Sequence, residues 1–150
     1  MRLQLALNVS DIDTAVDFYS QMFGTTPAKR KPGYANYEIA QPPLKLVLIE
    51  NGDGGGTLNH LGVEAEIAAE VVDAKARLGQ AGLDPTDIED TTCCYAEKTE
   101  TWVSDPDGAP WEWYVKTADA EQFDNSIRTA DSESACCAPD QAAAVTTSCC

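Results

Sequence analysis

Leu58-Asn59-His60-Leu61-Gly62-Val63-Glu64-Ala65 is the stretch from which the fold can be read. Leu61, Val63 and Ala65 alternate with His60, Gly62 and Glu64, the two-residue period of a strand with one apolar face, so the imidazole points away from the Leu/Val side. His60 is the only histidine in 150 residues. A near-copy opens the chain, Arg2-Leu3-Gln4-Leu5-Ala6-Leu7-Asn8-Val9. An offset of 56 residues pairs Gln4 with His60, Leu5 with Leu61, Ala6 with Gly62 and Leu7 with Val63, and carries Val16-Asp17 onto Val72-Asp73. A lone histidine is most often a satisfied structural residue. Here the repeat sets two polar, metal-competent side chains at the same depth of equivalent strands, which reverses that preference.

Working outward, Ser10-Asp11-Ile12-Asp13 supplies a helix start, with acids placed where the helix dipole favours them. Ile12, Ala15, Val16, Tyr19 and Met22 recur at helical spacing, and Gly24 stops the helix. Strand-like segments follow at 34–40 and 44–50, joined by the turn Gln41-Pro42-Pro43. Asn51-Gly52-Asp53-Gly54-Gly55-Gly56 reads as a flexible linker. The second half repeats the order: strand 58–65, a helix over about 67–80, a strand before Cys93, another at 101–104, a turn at Asp105-Pro106-Asp107-Gly108 and a last strand at 111–116. Neither half can close a core alone. The expected fold is α+β, with two βαβββ modules at about 1–50 and 57–117 joined in one curved mixed sheet, helices outside and a concave face within.

From Thr117 the apolar periodicity ends, and 118–150 reads as an acidic, cysteine-containing, disordered tail. Residues 1–117 carry 19 acidic and 9 basic side chains and residues 118–150 carry 6 and 1, so nucleic acid and anionic membrane are poor partners for either part. No long apolar run follows Arg2, so neither a secretion signal nor a spanning helix is expected, and a cytoplasmic location is. The six cysteines come as three adjacent pairs, Cys93-Cys94, Cys136-Cys137 and Cys149-Cys150. Neighbouring cysteines are badly placed to staple distant segments, and one histidine defeats zinc-finger spacings. Adjacent thiols suit soft-metal or metalloid chemistry instead.

A third ligand candidate lies in Ala109-Pro110-Trp111-Glu112-Trp113-Tyr114-Val115, where Glu112 and Tyr114 share the face opposite Trp111, Trp113 and Val115. A carboxylate on such a strand is costly to bury unless it is paired or metal-bound. Matching Pro43-Leu44-Lys45-Leu46 to Pro110-Trp111-Glu112-Trp113 sets Lys45 opposite Glu112 in the repeat, and an ammonium has no lone pair to offer. Gln4, His60 and Glu112 thus form a one-nitrogen, two-oxygen set with open positions, suited to Fe(II), Mn(II) or Co(II).

At these residues the chain resembles the vicinal oxygen chelate superfamily of glyoxalase I, bleomycin-resistance proteins and extradiol dioxygenases, whose ligands come from the first strand of each module and from the last strands. With no ligand at Lys45 it looks more like a dioxygenase than a glyoxalase I. A narrower resemblance rests on Gln4-Leu5-Ala6-Leu7-Asn8-Val9, Lys31-Pro32-Gly33-Tyr34-Ala35-Asn36, Pro42-Pro43-Leu44-Lys45-Leu46-Val47-Leu48, Leu58-Asn59-His60-Leu61-Gly62-Val63-Glu64 and Thr92-Cys93-Cys94-Tyr95. Together these are similar to the carbon–arsenic lyases, whose relatives are often called cadmium-induced proteins. That family implies Fe(II)-dependent, dioxygen-consuming cleavage of the carbon–arsenic bond of trivalent methyl- or aryl-arsenicals. Gln4, His60 and Glu112 would hold the metal (Mn, Co or Ni being able to occupy the site), and Cys93 with Cys94 would hold the arsenic. Successive side chains of a strand face opposite ways, so both thiols reach one arsenic only from a loop or bulge. The chain departs from the family at Glu100, where relatives place a lysine shortly before the Trp-Val strand; Lys98 is near but out of register. The expected partners are an organoarsenical and dioxygen, in a monomer or homodimer. Rival expectations are a non-catalytic cadmium- or arsenite-sequestering protein and a drug-binding resistance protein.

Overall fold

A computed structural model describes residues 1–124 together with 127 and 128. Cys136-Cys137 and Cys149-Cys150 lie outside the described residues. The elements run β1 (Arg2–Val9), α1 (Ile12–Phe23), β2 (Lys29–Lys31), β3 (Tyr34–Ile39), β4 (Leu44–Glu50), β5 (Leu58–Glu64), α2 (Ala68–Gln80), β6 (Glu89–Cys93), β7 (Ala96–Ser104) and β8 (Pro110–Asp119). Each half is βαβββ. The eight strands form one mixed sheet in the order β2-β3-β4-β1-β5-β8-β7-β6, so the halves meet back to back at the antiparallel β1/β5 pair. Within each half the first and last strands are parallel neighbours, β1 with β4 and β5 with β8.

The helices cover the outer face. Asp11 caps α1 by accepting from the Thr14 N–H, and Gly24, at φ 62°, ends it in the left-handed region. Ile12 and Val16 pack on Ala35, Tyr37, Ile39, Leu46 and Leu48, while Val71 of α2 meets Ala65 and Val115. Each fully buried aliphatic side chain here contributes about 1.5–3 kcal/mol.

The inner face is buried more deeply than the alternation suggests. Gln4, Ala6 and Asn8 are buried, whereas Leu5 and Leu7 on the other side of β1 are only partly so. Sheet curvature brings the two edges together: the Lys29 ammonium of β2 donates to the Tyr95 carbonyl between β6 and β7, 2.7 Å away, and also pairs with Asp119. The polar face of β1, β5, β7 and β8 therefore becomes part of the interior of a half-barrel.

Three local expectations change. Residues 51–56 are not a loose linker: Gly52–Gly54 form a 3-10 turn capped by Asn51, and Gly55 lies so close to Ser10 that a β-carbon there would meet it at 2.8 Å. Strand β7 begins at Ala96 rather than Thr101, because Glu97, Lys98, Thr99 and Glu100 hide its pairing behind polar side chains. The last strand continues to Asp119, past the boundary expected at Thr117, and residues 120–124 are hydrogen-bonded to the β6–β7 turn. Among the described residues, no helix is long and apolar enough to cross a membrane.

Candidate metal centre and dithiol hairpin

Gln4, His60 and Glu112 come from β1, β5 and β8, three adjacent strands at the centre of the sheet. Gly62 pairs with Gln4 on one side and Glu112 on the other. A β-carbon at Gly62 would stand 3.3 Å from Gln4 Cβ, Gln4 Nε2 and the Glu112 carbonyl oxygen. Glycine at this position lets the two outer strands bring their donors together over the middle one without displacing a neighbour.

The Gln4 amide nitrogen lies 2.9 Å from His60 Nε2 and donates to Glu112 Oε2 at 3.0 Å, and the imidazole and carboxylate atoms are 3.5 Å apart. Two donors at right angles on a metal about 2.1 Å away stand about 3 Å apart, so this triangle has the dimensions of one face of an octahedral ion. The amide must turn Oε1 inward to ligate. Tyr114, whose hydroxyl donates to Gln4 Oε1 at 2.6 Å, can equally accept from the amide NH2 after that rotation. Among the described residues no group of three His, Cys, Asp or Glu side chains could hold a metal, so any such centre depends on the Gln4 amide. The donor set fits a divalent ion that tolerates mixed nitrogen and oxygen ligands.

Glu112 has no exposed surface. Burial would push its carboxyl up, but the charge of Lys98, whose ammonium sits 2.7 Å from Glu112 Oε1, holds it well below the usual carboxylate range. Burial would likewise lower Lys98; the charge of Glu112 overcomes it and the ammonium is held above its ordinary value. Beside them, burial and the Glu112 charge raise Glu100 to about 8, its Oε1 accepting from the Trp102 indole at 3.1 Å. Lys98 thus occupies the pocket from a position two residues before Glu100, on the same face of β7. The missing sequence signal was the strand itself.

Lys45 also needs correction. It pairs with Gln4 across β1/β4, whereas Glu112 pairs with Gly62 across β5/β8. Since Ala6 is the repeat mate of Gly62 and pairs with Val47, the counterpart of Glu112 is Val47. The proline match had slipped the register by two residues. The conclusion about a fourth ligand is unchanged, because Val47 has no donor and the Lys45 ammonium bonds Glu64 at 2.9 Å.

Cys93 ends β6 and Cys94 begins the two-residue turn to Ala96. Cys94 and Tyr95 have φ of 55° and 62°, the paired positive values of a type I′ hairpin that ordinarily selects Asn-Gly. Holding two residues with side chains there costs about 1–2 kcal/mol each. The distortion puts the two sulfurs on one side, 3.3 Å apart, and both face the Asp124 carbonyl oxygen, at 3.0 and 3.4 Å. The hydrogen bond with Cys93, and then burial, push the Cys94 thiol far up, so it is neutral at pH 7. Tyr95 packs on Tyr34 and Phe123, its ring centroid 5.1 and 5.4 Å from theirs. Asp124 escaped the sequence reading, because its role lies in a contact between segments.

A cavity of about 130 Å³ opens between hairpin and metal centre, lined by Cys94, Gln4, His60, Lys98, Tyr34 and Val47 among others. That approaches the roughly 150 Å³ of an engineered cavity that admits benzene.

Residues 3–113 match the model of the Glyoxalase/Bleomycin resistance protein/Dioxygenase superfamily. The chain is 49% identical over 154 residues to the trivalent organoarsenical cleaving enzyme of Thermomonospora curvata, covering 99% of each chain. It is 51% identical over 145 residues to the cadmium-induced protein CadI of Mycobacterium tuberculosis, covering 95% of each. Among solved structures, homoprotocatechuate 2,3-dioxygenase from Brevibacterium fuscum is similar in fold, with a TM-score of 0.58 at 19% identity over 82% of this chain and 39% of that one.

Proposed function

The chain belongs to the glyoxalase/bleomycin resistance protein/dioxygenase superfamily, and from that membership we propose that it is an Fe(II)-dependent dioxygenase that cleaves the carbon–arsenic bond of trivalent organoarsenicals. One observation carries this reading: a Cys94 thiol, paired at 3.3 Å with that of Cys93, opens into the same cavity as Gln4 and His60. The 49% identity to an organoarsenical cleaving enzyme supports it.

Trivalent arsenic is soft and binds thiolate sulfur in preference to oxygen. An arsenical with one organic substituent, R–As(OH)2, condenses with two S–H groups and releases two waters, with no net proton to remove. A buried Cys94 thiol whose ionisation is pushed up suits that exchange. The strained hairpin fixes both sulfurs on one side before the arsenical arrives, so capture requires little reordering. With arsenic on the sulfurs, the cavity directs the organic group toward Gln4, His60 and Glu112. Fe(II) bound by these three side chains would supply dioxygen activation next to the carbon–arsenic bond. Lys98 balances the Glu112 carboxylate, and the buried walls exclude water. For methylarsonous acid the atoms balance with one dioxygen as oxidant and formaldehyde plus arsenous acid as products.

The test is anaerobic Fe(II) loading, followed by addition of methylarsenite and oxygen and measurement of oxygen uptake, arsenite and formaldehyde. The expected yields are equal. Retention of intact methylarsenite on the cysteines, with no oxygen uptake, would identify the protein as a sequestering one. His60→Ala is expected to fold normally and lose both metal binding and turnover. Gln4→His is expected to bind metal more tightly, since imidazole is the better donor; weaker binding in a folded variant would remove Gln4 from the ligand set.

A further inference from the structure

Behind His60 runs a chain of side-chain hydrogen bonds that ends in the glycine-rich segment 51–57. His60 Nδ1 is 2.7 Å from Asn59 Oδ1. Asn59 Nδ2 donates to Asn8 Oδ1 at 2.9 Å, and Asn8 Nδ2 donates to Thr57 Oγ1 at 2.9 Å. The Thr57 hydroxyl donates to the Gly54 carbonyl oxygen at 2.6 Å. Each member can point two ways except the last, because a carbonyl oxygen only accepts.

That terminal acceptor sets the polarity of the whole chain. Thr57 must give its proton to Gly54, which leaves its oxygen to accept from the Asn8 NH2. Asn8 then turns its carbonyl to Asn59, and Asn59 turns its own to the imidazole. His60 Nδ1 is the one atom left to donate, so it carries the proton and Nε2 keeps its lone pair. Reversing the polarity would set two oxygen lone pairs against each other at 2.6 Å. On the other side of the ring, the Gln4 amide nitrogen, a donor only, lies nearer Nε2, at 2.9 Å, than Glu112 Oε2 does, at 3.5 Å.

The anchor is itself held in place. Asn8 N donates to the Thr57 carbonyl and Gly56 N to the Asn8 carbonyl, each at 2.9 Å, and Gly54 N bonds the Asn51 carbonyl at 3.1 Å. Gly55 allows the segment to lie against Ser10.

We propose that this relay makes the 51–57 segment a positioning element for the metal centre: through Thr57, Asn8 and Asn59 it locks the sole histidine in the Nδ1–H tautomer, with Nε2 aimed at the ion. Asn59 is the positioning residue. The assignment of Nε2 as a ligand rests on the metal-centre reading above; the tautomer does not.

A single histidine makes the test direct. Full-length, metal-free protein labelled with 15N-histidine gives one pair of ring nitrogens, and two-bond 1H–15N correlation at about pH 8.5, where an ordinary imidazole is neutral, shows which bears the proton. Wild type is expected to show Nδ1–H. Asn59→Leu is expected to shift the ring toward Nε2–H, the form that free imidazole side chains favour in water, and to weaken Co(II) binding roughly 10–100-fold. Asn59→Asp restores an acceptor and is expected to restore both tautomer and affinity. Wild type with Nε2–H, or Asn59→Leu with the wild-type tautomer, overturns the relay. Should Asn59→Leu fail to fold, Asn8→Leu breaks the chain one step further out: a mixed tautomer supports the relay and an unchanged one overturns it. Wild type that shows Nδ1–H yet binds no Co(II) leaves the relay standing and overturns the metal-centre reading.

Discussion

At the scale of single residues, the site depends on one absent side chain and two present ones. Gly62 separates Gln4 from Glu112, and a methyl group there would press on both strands at 3.3 Å. Gly62→Ala is expected to cost about 1–3 kcal/mol through overpacking and to weaken divalent-metal binding about 10-fold, as measured by urea unfolding and Co(II) titration on the same preparation. Unchanged metal affinity would mean that the strand spacing is not what assembles the donors. Cys93 and Cys94 divide labour differently. Replacing either thiol with a serine hydroxyl, a hard and poor ligand for arsenic, is expected to abolish arsenical retention while leaving metal affinity at the wild-type value. Arsenic stoichiometry and Co(II) spectra read the two properties separately, and joint loss of both would contradict two independent half-sites.

At the scale of elements, the hairpin does not stand alone. The Cys94 N–H donates to Asp124 O at 2.8 Å, the Tyr95 N–H to Gln122 O at 3.1 Å and the Ala120 N–H to Tyr95 O at 3.0 Å. Lys29 and Lys31 of β2 pair with Asp119 and Glu121 beside it. A chain ending at Thr117 loses these acceptors and the Phe123 ring. It is expected to show faster hydrogen exchange at Cys94 and Tyr95 and weaker arsenical capture. A chain ending at Arg128 keeps them, and is expected to match full-length protein in both. Equal protection in the two truncations would show that residues 118–128 do not support the turn. The same contacts explain why residues 119–124, without apolar periodicity, pack on the turn: apart from the Phe123 ring, their partners are backbone groups of the turn and basic side chains, neither of which leaves a hydrophobic pattern.

At the scale of the whole molecule, charge sets the pH response. The chain carries a net charge of −15, yet Arg2 and Lys45 converge on Glu64 at one end of the half-barrel. Burial would raise the Glu64 carboxyl; Lys45 and Arg2 overcome this and hold it below its ordinary 4.5. A depressed carboxyl stabilises the fold fully above that ordinary value and loses its contribution as pH falls through the lowered one. Glu64→Gln is expected to flatten this acid limb and, by leaving the buried Lys45 without its counterion, to cost about 1–3 kcal/mol at neutral pH. Urea midpoints at a series of pH values check both. An acid limb unchanged in the variant would place the titration elsewhere.

The sequence by itself determined the halves and their order, because the period of two in β1 and β5, the period of 3.6 in α1 and α2 and the 56-residue offset are local patterns that any folded state must respect. It also singled out Gln4, His60 and Glu112 by residue chemistry and position in the repeat, and Cys93 with Cys94 as adjacent thiols whose role the family resemblance implies. Tertiary structure decided what those patterns cannot encode. Sheet curvature made the polar face of the central strands interior, strand pairing made Val47 rather than Lys45 the repeat counterpart of Glu112, and a left-handed turn put two consecutive sulfurs on one side. The linker from Asn51 to Gly56, with Thr57 after it, became the anchor of His60 because the last acceptor in that relay is a backbone carbonyl. A carbonyl oxygen is the same in every residue, so no side-chain pattern marks which one will direct the histidine.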